Sequence, residues 1–185
     1  MLAGNIVELE PLSLAHAGEL SAIGLDASLW EVASERVATA GEMTAYIERA
    51  LADSKAQAFA VRHRASGQLA GSTRYMNHEP AHRRVEIGAT WYGLAYQRTA
   101  VNTECKYLLL RHAFEQMEMN RVELKTDLRN TRSRNAIRRI GASEEGTLRR
   151  HMITWSGHVR DTVYYSVIRE EWPALKKHLE ELMAR

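Results

Sequence analysis

A strand, a short polar loop and a long helix follow one another between residues 84 and 114, and this run constrains the fold more than any other part of the chain. Apolar and polar residues alternate from Arg84 to Trp91, the pattern of a half-buried strand. Three- and four-residue spacing then defines one helical face, formed by Val101, Cys105, Leu108, Leu109, His112 and Ala113. The spacing predicts a helix that begins at Asn102 or Thr103. A loop that ends at a helix N-terminus presents unpaired N–H groups beside the positive end of the helix dipole, so it suits a phosphate or pyrophosphate.

A second strand and helix follow the first pair. The pattern predicts a strand from Arg121 to Asp127 and a short helix from Ser133 to Ile140 that ends at Gly141. An ordinary strand-to-helix connection, capped by Asn102 or Thr103, would explain the first pattern by itself. The periodicity by itself leaves both interpretations of the first loop open.

The other segments predict a mostly antiparallel set of strands with interspersed helices. Alternation and turn residues predict further strands at Asn5–Leu9, Gln57–Arg64, Leu69–Tyr75, Thr147–Thr154 and Asp161–Ile168. Helical spacing predicts helices at Ser13–Ile23, Gly41–Ser54 and Pro173–Arg185. Residues 77–83 are polar and predict a loop. This order of elements indicates an α+β fold.

The bulk composition is that of one ordinary domain. A chain of 185 residues is long enough to bury a hydrophobic core, so we expect a single domain over residues 1–185. No run of about eighteen apolar residues predicts a transmembrane helix, and the N-terminus lacks the basic and apolar regions of a secretory signal. We therefore expect a cytoplasmic protein with no membrane partner, and a single cysteine fits that compartment.

Two kinds of reactive site are disfavoured. Cys105 lies on the apolar helical face, which favours a buried core thiol over a nucleophile. No group of His, Cys or carboxylate residues shows metal-ligand spacing, so we expect no metal.

Positive charge is concentrated in one segment. Seven arginines lie between Arg129 and Arg150, although the net charge of the chain is only +2. One interpretation is a nucleic-acid-binding face. The arginines are not interleaved with aromatic residues, however, and Glu144 and Glu145 interrupt them. A solvated helix face, with one or two arginines near a bound phosphate, is therefore the favoured interpretation.

Short motifs at the ends of these elements carry a family resemblance. They are Gln97–Cys105, Asn130 with Ser133, Gly141-Ala142, Arg160–Ile168 and Glu171-Trp172-Pro173. The first motif fits the frame Gln/Arg-x-x-Gly-x-Gly/Ala of a pyrophosphate loop. Together the motifs resemble those of the acyl-CoA-dependent N-acetyltransferases of the GNAT superfamily, in particular the branch of ribosomal-protein alanine N-acetyltransferases. The resemblance extends from Val7 to Pro173.

The resemblance implies a fold and a co-substrate. The fold is the GNAT acyl-CoA N-acyltransferase fold, a mixed, mostly antiparallel sheet of about six to seven strands flanked by helices. Acetyl-CoA is the implied co-substrate, and pantetheine would lie between Val85–Trp91 and Val122–Asp127, which would splay apart. The implied cofactor-binding residues are Trp91, Tyr92, Gln97, Arg98, Thr99, Ala100, Val101, Asn102, Asn130 and Ser133.

Several of these residues have a structural alternative. By resemblance, Asn130 would bind the pantetheine amides and Ser133 would lie near the thiol, whereas a turn residue and a helix cap are the respective alternatives. Ala100 and Asn102 depart from the small-residue pattern of the family loop, Ala100 replacing a glycine. A positive φ at Ala100 would cost roughly 1 kcal/mol, and a right-handed conformation would cost nothing. By resemblance, the acceptor rim lies near Leu29-Trp30, although Trp30 also suits a core anchor.

The catalytic candidates are Glu86, Ser133 and Asn130. Glu86 shares a strand face with Gly88 and Thr90, so its carboxylate is suited to take a proton directly or through water. The alternative is a surface glutamate paired with an arginine such as Arg74 or Arg121.

The remaining catalytic groups come from the resemblance. A backbone N–H between Thr90 and Tyr92 would stabilise negative charge on the thioester oxygen. The tyrosine that many family members use as general acid is replaced by Ile137 here, so Ser133 or solvent must protonate the leaving thiolate.

We therefore expect an acetyl-CoA-dependent N-acetyltransferase that acts on a primary amine, either a protein N-terminus or a small molecule, by direct attack in a ternary complex. One alternative is a non-catalytic acyl-CoA-binding sensor or partner protein, suggested by the altered loop and the missing tyrosine. Another is an arginine-mediated RNA- or ribosome-associated protein. The sequence leaves open a homodimer formed through the C-terminal strands.

Overall fold

The computed structural model describes residues 1–184, in which α-helices flank a single sheet. The strands are β1 (Leu2–Ala3), β2 (Val7–Pro11), β3 (Gln57–His63), β4 (Leu69–Glu79), β5 (Arg84–Tyr92), β6 (Arg121–Asp127), β7 (Ser143–Ile153) and β8 (Val159–Ile168). The helices are α1 (Ala17–Gly24), α2 (Ala40–Ala52), α3 (Val101–Glu115), α4 (Thr131–Arg139) and α5 (Trp172–Met183). None of these helices combines the length and the apolar character that crossing a membrane requires.

The eight strands are ordered β1-β2-β3-β4-β5-β6-β8-β7. Every neighbouring pair is antiparallel except β5 and β6, which run parallel. The predicted α+β class and GNAT fold are confirmed, but the predicted count of six to seven strands was too low. The extra strand, β1, pairs Leu2 with Leu9 and is only two residues long. A strand this short has no alternation for a sequence pattern to detect.

Each face of the sheet carries its own hydrophobic cluster. In β3, Phe59 and Val61 belong to the cluster that contains α3 and α5, whereas Ala58 and Ala60 belong to the cluster that contains α2. The two-residue period of a strand produces this division, since successive side chains point to opposite faces. The middle of the sheet is therefore covered on both faces, whereas β7 at its edge is exposed along most of its length.

Some predicted boundaries differ from those observed. Helix α3 begins at Val101 rather than at Asn102 or Thr103, because the Ala100 carbonyl already accepts a helical hydrogen bond from the Glu104 N–H at 3.0 Å. Strand β4 continues to Glu79, through part of the predicted loop at residues 77–83. The C-terminal helix ends at Met183, and residue 185 of its predicted span lies outside the described residues.

Helix α4 is bounded by two specific residues. At its start the Asn130 side chain accepts a hydrogen bond from the Ser133 N–H at 3.0 Å. At its end Gly141 has φ of +93°, a conformation that favours glycine, and a Cβ there would collide with Leu175 of α5. The predicted end of this helix at Gly141 is confirmed, and its predicted start at Ser133 was two residues late.

Candidate active site

Strands β5 and β6 separate part-way along their length, and a cleft opens between them. Their parallel register begins at Arg84 and Arg121 and ends at Glu86 and Glu123. Farther on, residues 87–92 and 124–126 line a cleft of about 570 Å³. Because the two strands no longer pair there, main-chain N–H and C=O groups along the facing edges are free to bind a ligand. The splay expected from the sequence is therefore present.

A β-bulge at Ala89 shapes one wall of this cleft. The register with β4 shifts between Gly88 and Trp91, so that β5 contains an extra residue. Ala89 has φ of +45°, a left-handed conformation that costs a non-glycine residue roughly 1 kcal/mol. Its carbonyl accepts a hydrogen bond from the Tyr46 hydroxyl at 3.4 Å. A bulge re-aims the main chain, and this one directly precedes residues 90–92, where the oxyanion donor is predicted.

The loop between β5 and α3 has its left-handed residue at Arg98 and not at Ala100. Arg98 has φ of +61°, whereas Ala100 is right-handed, with φ of −68° and ψ of −11°. Alanine in the usual place of a glycine therefore causes no backbone strain. The Thr99 hydroxyl donates to the Tyr96 carbonyl at 2.7 Å and accepts from the Val101 N–H at 3.3 Å, which fixes the loop against the start of α3.

Three arginines lie beside this loop. Arg98 lines the cleft, and Arg132 of α4 donates to the Gln97 side chain at 2.7 Å. Arg139, about two turns farther along α4, donates to the Thr103 hydroxyl at 2.7 Å. Their positive charge adds to the positive end of the α3 dipole, and this combination is suited to a pyrophosphate.

Most other arginines of the 129–150 segment have partners within the chain or lie on the surface. Arg129 forms an ion pair with Asp127 at 3.0 Å, and Arg138 forms one with Glu144 at 2.6 Å. Residues 149 and 150 are exposed on β7. This distribution favours a solvated helix face over a nucleic-acid-binding face.

Most of the residues predicted to bind the co-substrate lie on the cleft. Those that line it are Trp91, Tyr92, Gln97, Arg98, Asn102, Asn130 and Ser133. Three others, Thr99, Ala100 and Val101, form the loop and helix start behind it, and the Val101 side chain is buried in the core. The rings of Trp91 and Tyr92 are buried in the two opposite core clusters.

Asn130 and Ser133 lie together on the cleft wall at the start of α4. The Asn130 carbonyl oxygen is the helix cap, but its NH₂ group retains two donors. Capping and ligand binding by Asn130 are therefore compatible. The cap interpretation of Ser133 is wrong, because Ser133 supplies the capped N–H group and its hydroxyl is not the cap.

Glu86 lies where the two strands begin to separate. It is buried, with 2% of its surface exposed. Its Oε2 is 2.9 Å from the Lys125 Nζ of β6 and accepts a hydrogen bond from the Asn77 Nδ2 at 2.8 Å. The alternative of a surface glutamate paired with Arg74 or Arg121 is wrong, because Glu86 is buried and its cation is Lys125. Arg74 stacks on the Tyr46 ring, and Arg121 pairs with Glu123 and Glu145.

One buried lysine on α3 was not among the site residues predicted from the sequence. Lys106 is 6% exposed, lines the cleft, and donates to the Thr90 hydroxyl at 2.8 Å. The Thr90 hydroxyl is in turn 2.7 Å from that of Thr73. Burial lowers the pKa of Lys106 to about 8. Nothing in the sequence connects Lys106 with Thr90, because the two residues lie on different elements that meet only in the folded chain.

Beyond the splay the cleft continues into what we call the distal pocket, which is lined by Trp30, Val32, Ala33, Ser34, Glu35, Tyr46 and Arg160. The turn between β7 and β8 closes it: Trp155 donates from its main chain to the Ser34 carbonyl at 3.2 Å and from its indole to the Trp30 carbonyl at 2.9 Å. Trp30 is both a core residue and a lining residue.

Two further predictions concern residues beside the cleft. Ile137, which the resemblance places where many family members have a tyrosine, is buried and lines the cleft, and its aliphatic side chain can supply no proton. Cys105 is fully buried, and burial raises the pKa of its thiol. The prediction of a core thiol at Cys105 is confirmed.

Comparison with known families agrees with this fold and cleft. Residues 7–143 match the family model described as "Acetyltransferase (GNAT) domain". The chain therefore belongs to the GNAT acetyltransferase family, whose acetyl donor is acetyl-CoA.

Individual relatives support the same assignment. "Putative ribosomal N-acetyltransferase YdaF" of Bacillus subtilis (strain 168) is 34% identical over 110 residues, which cover 60% of this chain and 59% of that protein. The chain thus matches less than two thirds of the length of this curated relative. A solved structure from T. thermophilus, described as "putative acetyltransferase", is 36% identical, with a TM-score of 0.91 and coverage of 98% of this chain and 95% of that one. A GCN5-related N-acetyltransferase from Brucella melitensis is 32% identical, with a TM-score of 0.92 and coverage of 98% and 84%.

Proposed function

We propose that this protein transfers an acetyl group from acetyl-CoA to a primary amine by direct attack in a ternary complex, with one catalytic domain spanning residues 1–185. The observation that carries the proposal is the splayed β5–β6 pair, which joins the arginine-lined loop at α3 to the distal pocket. The loop receives the pyrophosphate of acetyl-CoA, pantetheine follows the splay, and the amine enters from the distal pocket. The acceptor is a protein N-terminus or a small-molecule amine, and the name of the Bacillus subtilis relative favours the former.

The donor side of the reaction needs stabilisation of negative charge. A main-chain N–H within residues 90–92 donates to the thioester oxygen as the amine attacks its carbon. The Lys106 ammonium, bonded to Thr90, adds positive charge beside the same position. The carbon–sulfur bond then breaks, and the thiolate takes a proton from the Ser133 hydroxyl or from solvent, since Ile137 has none to give. The nitrogen that attacked loses one proton as it becomes an amide, and this proton restores the Ser133 hydroxyl or passes to solvent.

The acceptor side needs a neutral amine. Glu86 removes the ammonium proton, and a water molecule relays it, because Oε2 of Glu86 already bonds to Lys125 and Asn77. Much of the rate then comes from holding the amine and the thioester in line.

The first experiment measures acetyl-CoA binding by calorimetry and then thiol release against a panel of amines and N-terminal peptides. We expect binding, followed by amine-dependent release of CoA. Binding without release for any amine would favour the alternative suggested by Ile137, a non-catalytic acyl-CoA-binding protein. Absence of binding would refute the proposed function.

A second experiment separates the roles of Asn130. Asn130→Ala removes both the cap and the amide and should cost about 1 kcal/mol of stability. Asn130→Ser keeps a capping oxygen and loses only the NH₂ group. If Asn130 binds pantetheine, both variants lose acetyl-CoA affinity by about tenfold. Loss in the alanine variant alone would restrict Asn130 to its structural role.

A third experiment addresses Glu86. Glu86→Gln keeps the shape of the side chain and its bond to Asn77 but cannot take a proton. We expect turnover to fall by about 100-fold at unchanged acetyl-CoA affinity. If Glu86→Gln turns over as fast as the wild type, Glu86 is not the base of this reaction.

A further inference from the structure

Arg160 is a buried cation that lacks the partners expected of one. It is 6% exposed, and its Nε has no hydrogen-bond partner among residues 1–184. No carboxylate in that part of the chain lies within ion-pair distance of its guanidinium. Burial lowers the pKa of Arg160, and the charges of Asp127 and Glu86 act in the opposite direction. An arginine buried in this way is costly unless an anion completes its surroundings.

The nearby carboxylates are already occupied. Asp127 accepts three hydrogen bonds from Arg129, at 2.8, 3.2 and 3.0 Å. Glu86 is bonded to Lys125 and Asn77. Both carboxylates therefore already have cationic partners, and the Arg160 guanidinium remains available to bind another anion.

A second buried arginine shows what a compensated guanidinium looks like in this fold. Arg74 also has nitrogens without hydrogen-bond partners, but its Cζ lies 4.3 Å from the centroid of the Tyr46 ring. That contact is a cation–π interaction, which stabilises a desolvated arginine. Arg160 has no aromatic ring in such a position within the described residues.

Arg160 lies on the acceptor side of the cleft. In β8, Val163 and Tyr165 belong to the core cluster beneath α3, so strand alternation places residue 160 on the opposite face. That is the face of the Glu86–Lys125 pair, away from the arginines of the pyrophosphate loop. Arg160 also lines the distal pocket, where the proposed function places the amine.

We propose that Arg160 binds a carboxylate carried by the acceptor, so that the substrate is an amine with a carboxylate close to it. This inference rests on the proposed function and specifies its substrate class. The planar guanidinium fork matches a carboxylate with two parallel hydrogen bonds. Anchored in this way, the acceptor would present its amine toward Glu86 and the splay. The carboxylate comes either from an acidic side chain at a peptide N-terminus or from a free amino acid.

Matched acceptors test the proposal. One pair is a short peptide that begins with Asp and the same peptide that begins with Asn, both with amidated C-termini. The other pair is free alanine and alaninamide. The values of kcat/KM for each are measured with the wild type, Arg160→Gln and Arg160→Lys. Arg149→Gln, which changes an exposed arginine on β7, controls for net charge.

We expect the wild type to prefer the carboxylate in at least one pair by about 10- to 100-fold. The pair that shows the preference identifies the source of the carboxylate. Arg160→Gln should abolish that preference while leaving the uncharged acceptors within about threefold, and Arg160→Lys should retain only part of it. Arg149→Gln should behave as the wild type.

The proposal would be overturned by the absence of a carboxylate preference in the wild type, or by a preference that survives in Arg160→Gln. Weaker acetyl-CoA binding by Arg160→Gln would instead assign the guanidinium to the donor and would also overturn it. If no amine is acetylated, the proposed function fails, and binding of N-acetyl-Asp and N-acetyl-Asn peptides in the presence of CoA tests Arg160 independently. The wild type should then bind the Asp peptide at least tenfold more tightly than the Asn peptide. Arg160→Gln should bind the two peptides with similar affinity.

Discussion

Glu104 and Lys106 are both buried charges on α3, two residues apart, yet their surroundings are opposite. The Glu104 carboxylate accepts hydrogen bonds from the N–H groups of Asn5, Ile6 and Val7 at 2.8, 2.6 and 2.7 Å. The Lys106 ammonium donates to the Thr90 hydroxyl and faces the cleft. Glu104 holds the N-terminal edge of the sheet onto α3, whereas Lys106 is a cation with no carboxylate at ion-pair distance in the described chain.

The difference separates a structural charge from a functional one. A buried charge whose hydrogen-bonding capacity is filled stabilises one arrangement of the chain. A buried charge that lacks a counter-ion costs stability, and that cost is retained where the charge serves a ligand or a reaction. Arg160 in the distal pocket belongs with Lys106 in this respect.

The largest effect is expected from Glu104→Ala. The substitution leaves three main-chain N–H groups without their acceptor, at about 1–3 kcal/mol each, so the free energy of unfolding should fall by about 3 kcal/mol or more. Chemical denaturation measures this value. Glu104→Gln, which keeps one acceptor oxygen, should lose less. A loss below about 1 kcal/mol in the alanine variant would show that Glu104 is not the anchor of this edge.

Lys106→Met should have the opposite effect on stability near neutral pH. Replacing an uncompensated ammonium by an apolar side chain of similar length should stabilise the protein by roughly 3 kcal/mol at most, given a pKa displaced from 10.5 to about 8. Between those two values the unfolded chain binds more protons at residue 106, so wild-type stability rises with pH. The advantage of Lys106→Met should therefore shrink between about pH 8 and pH 10. A difference in unfolding free energy that is constant from pH 7 to pH 10 would contradict a lowered pKa.

The same variant should reduce turnover by about tenfold, through loss of the positive charge beside Thr90. Acetyl-CoA affinity should change by less than about threefold, because residue 106 lies away from the pyrophosphate loop. For the wild type, kcat should decline above about pH 8 as Lys106 loses its proton, whereas Lys106→Met should lack that decline. Pre-steady-state acetyl transfer at several pH values is the measurement, and identical profiles for the two proteins would assign Lys106 no role in catalysis.

The smallest effects concern backbone strain near the site. Ala89→Gly should stabilise the protein by up to about 1 kcal/mol, because Ala89 is left-handed at the bulge. Ala100→Gly should give no gain, because Ala100 is right-handed and needs no glycine. Thermal unfolding of the two variants compares them directly. Equal stabilisation by both substitutions would contradict the difference in backbone conformation.

Much of the donor side could be predicted from the sequence. The β5–loop–α3 run, the Asn130 and Ser133 pair and the glycine after α4 are local patterns, and each is fixed by neighbours a few residues away. The ion-pair partners of individual side chains were predicted less well. The structural alternative paired Glu86 with Arg74 or Arg121, but its partner is Lys125. Arg121, on the same strand as Lys125, pairs with Glu123 and Glu145 instead.

The sequence by itself determined the element order, the family and the loop that suits a pyrophosphate, since periodicity, turn residues and contiguous motifs are encoded locally. Only the tertiary structure decided which charges are buried together. The pairing of Glu86 with Lys125, the contact of Lys106 with Thr90 and the unpartnered Arg160 all depend on elements brought together by packing of the two core clusters. Burial and pairing are properties of the folded neighbourhood, and a single sequence does not specify that neighbourhood residue by residue.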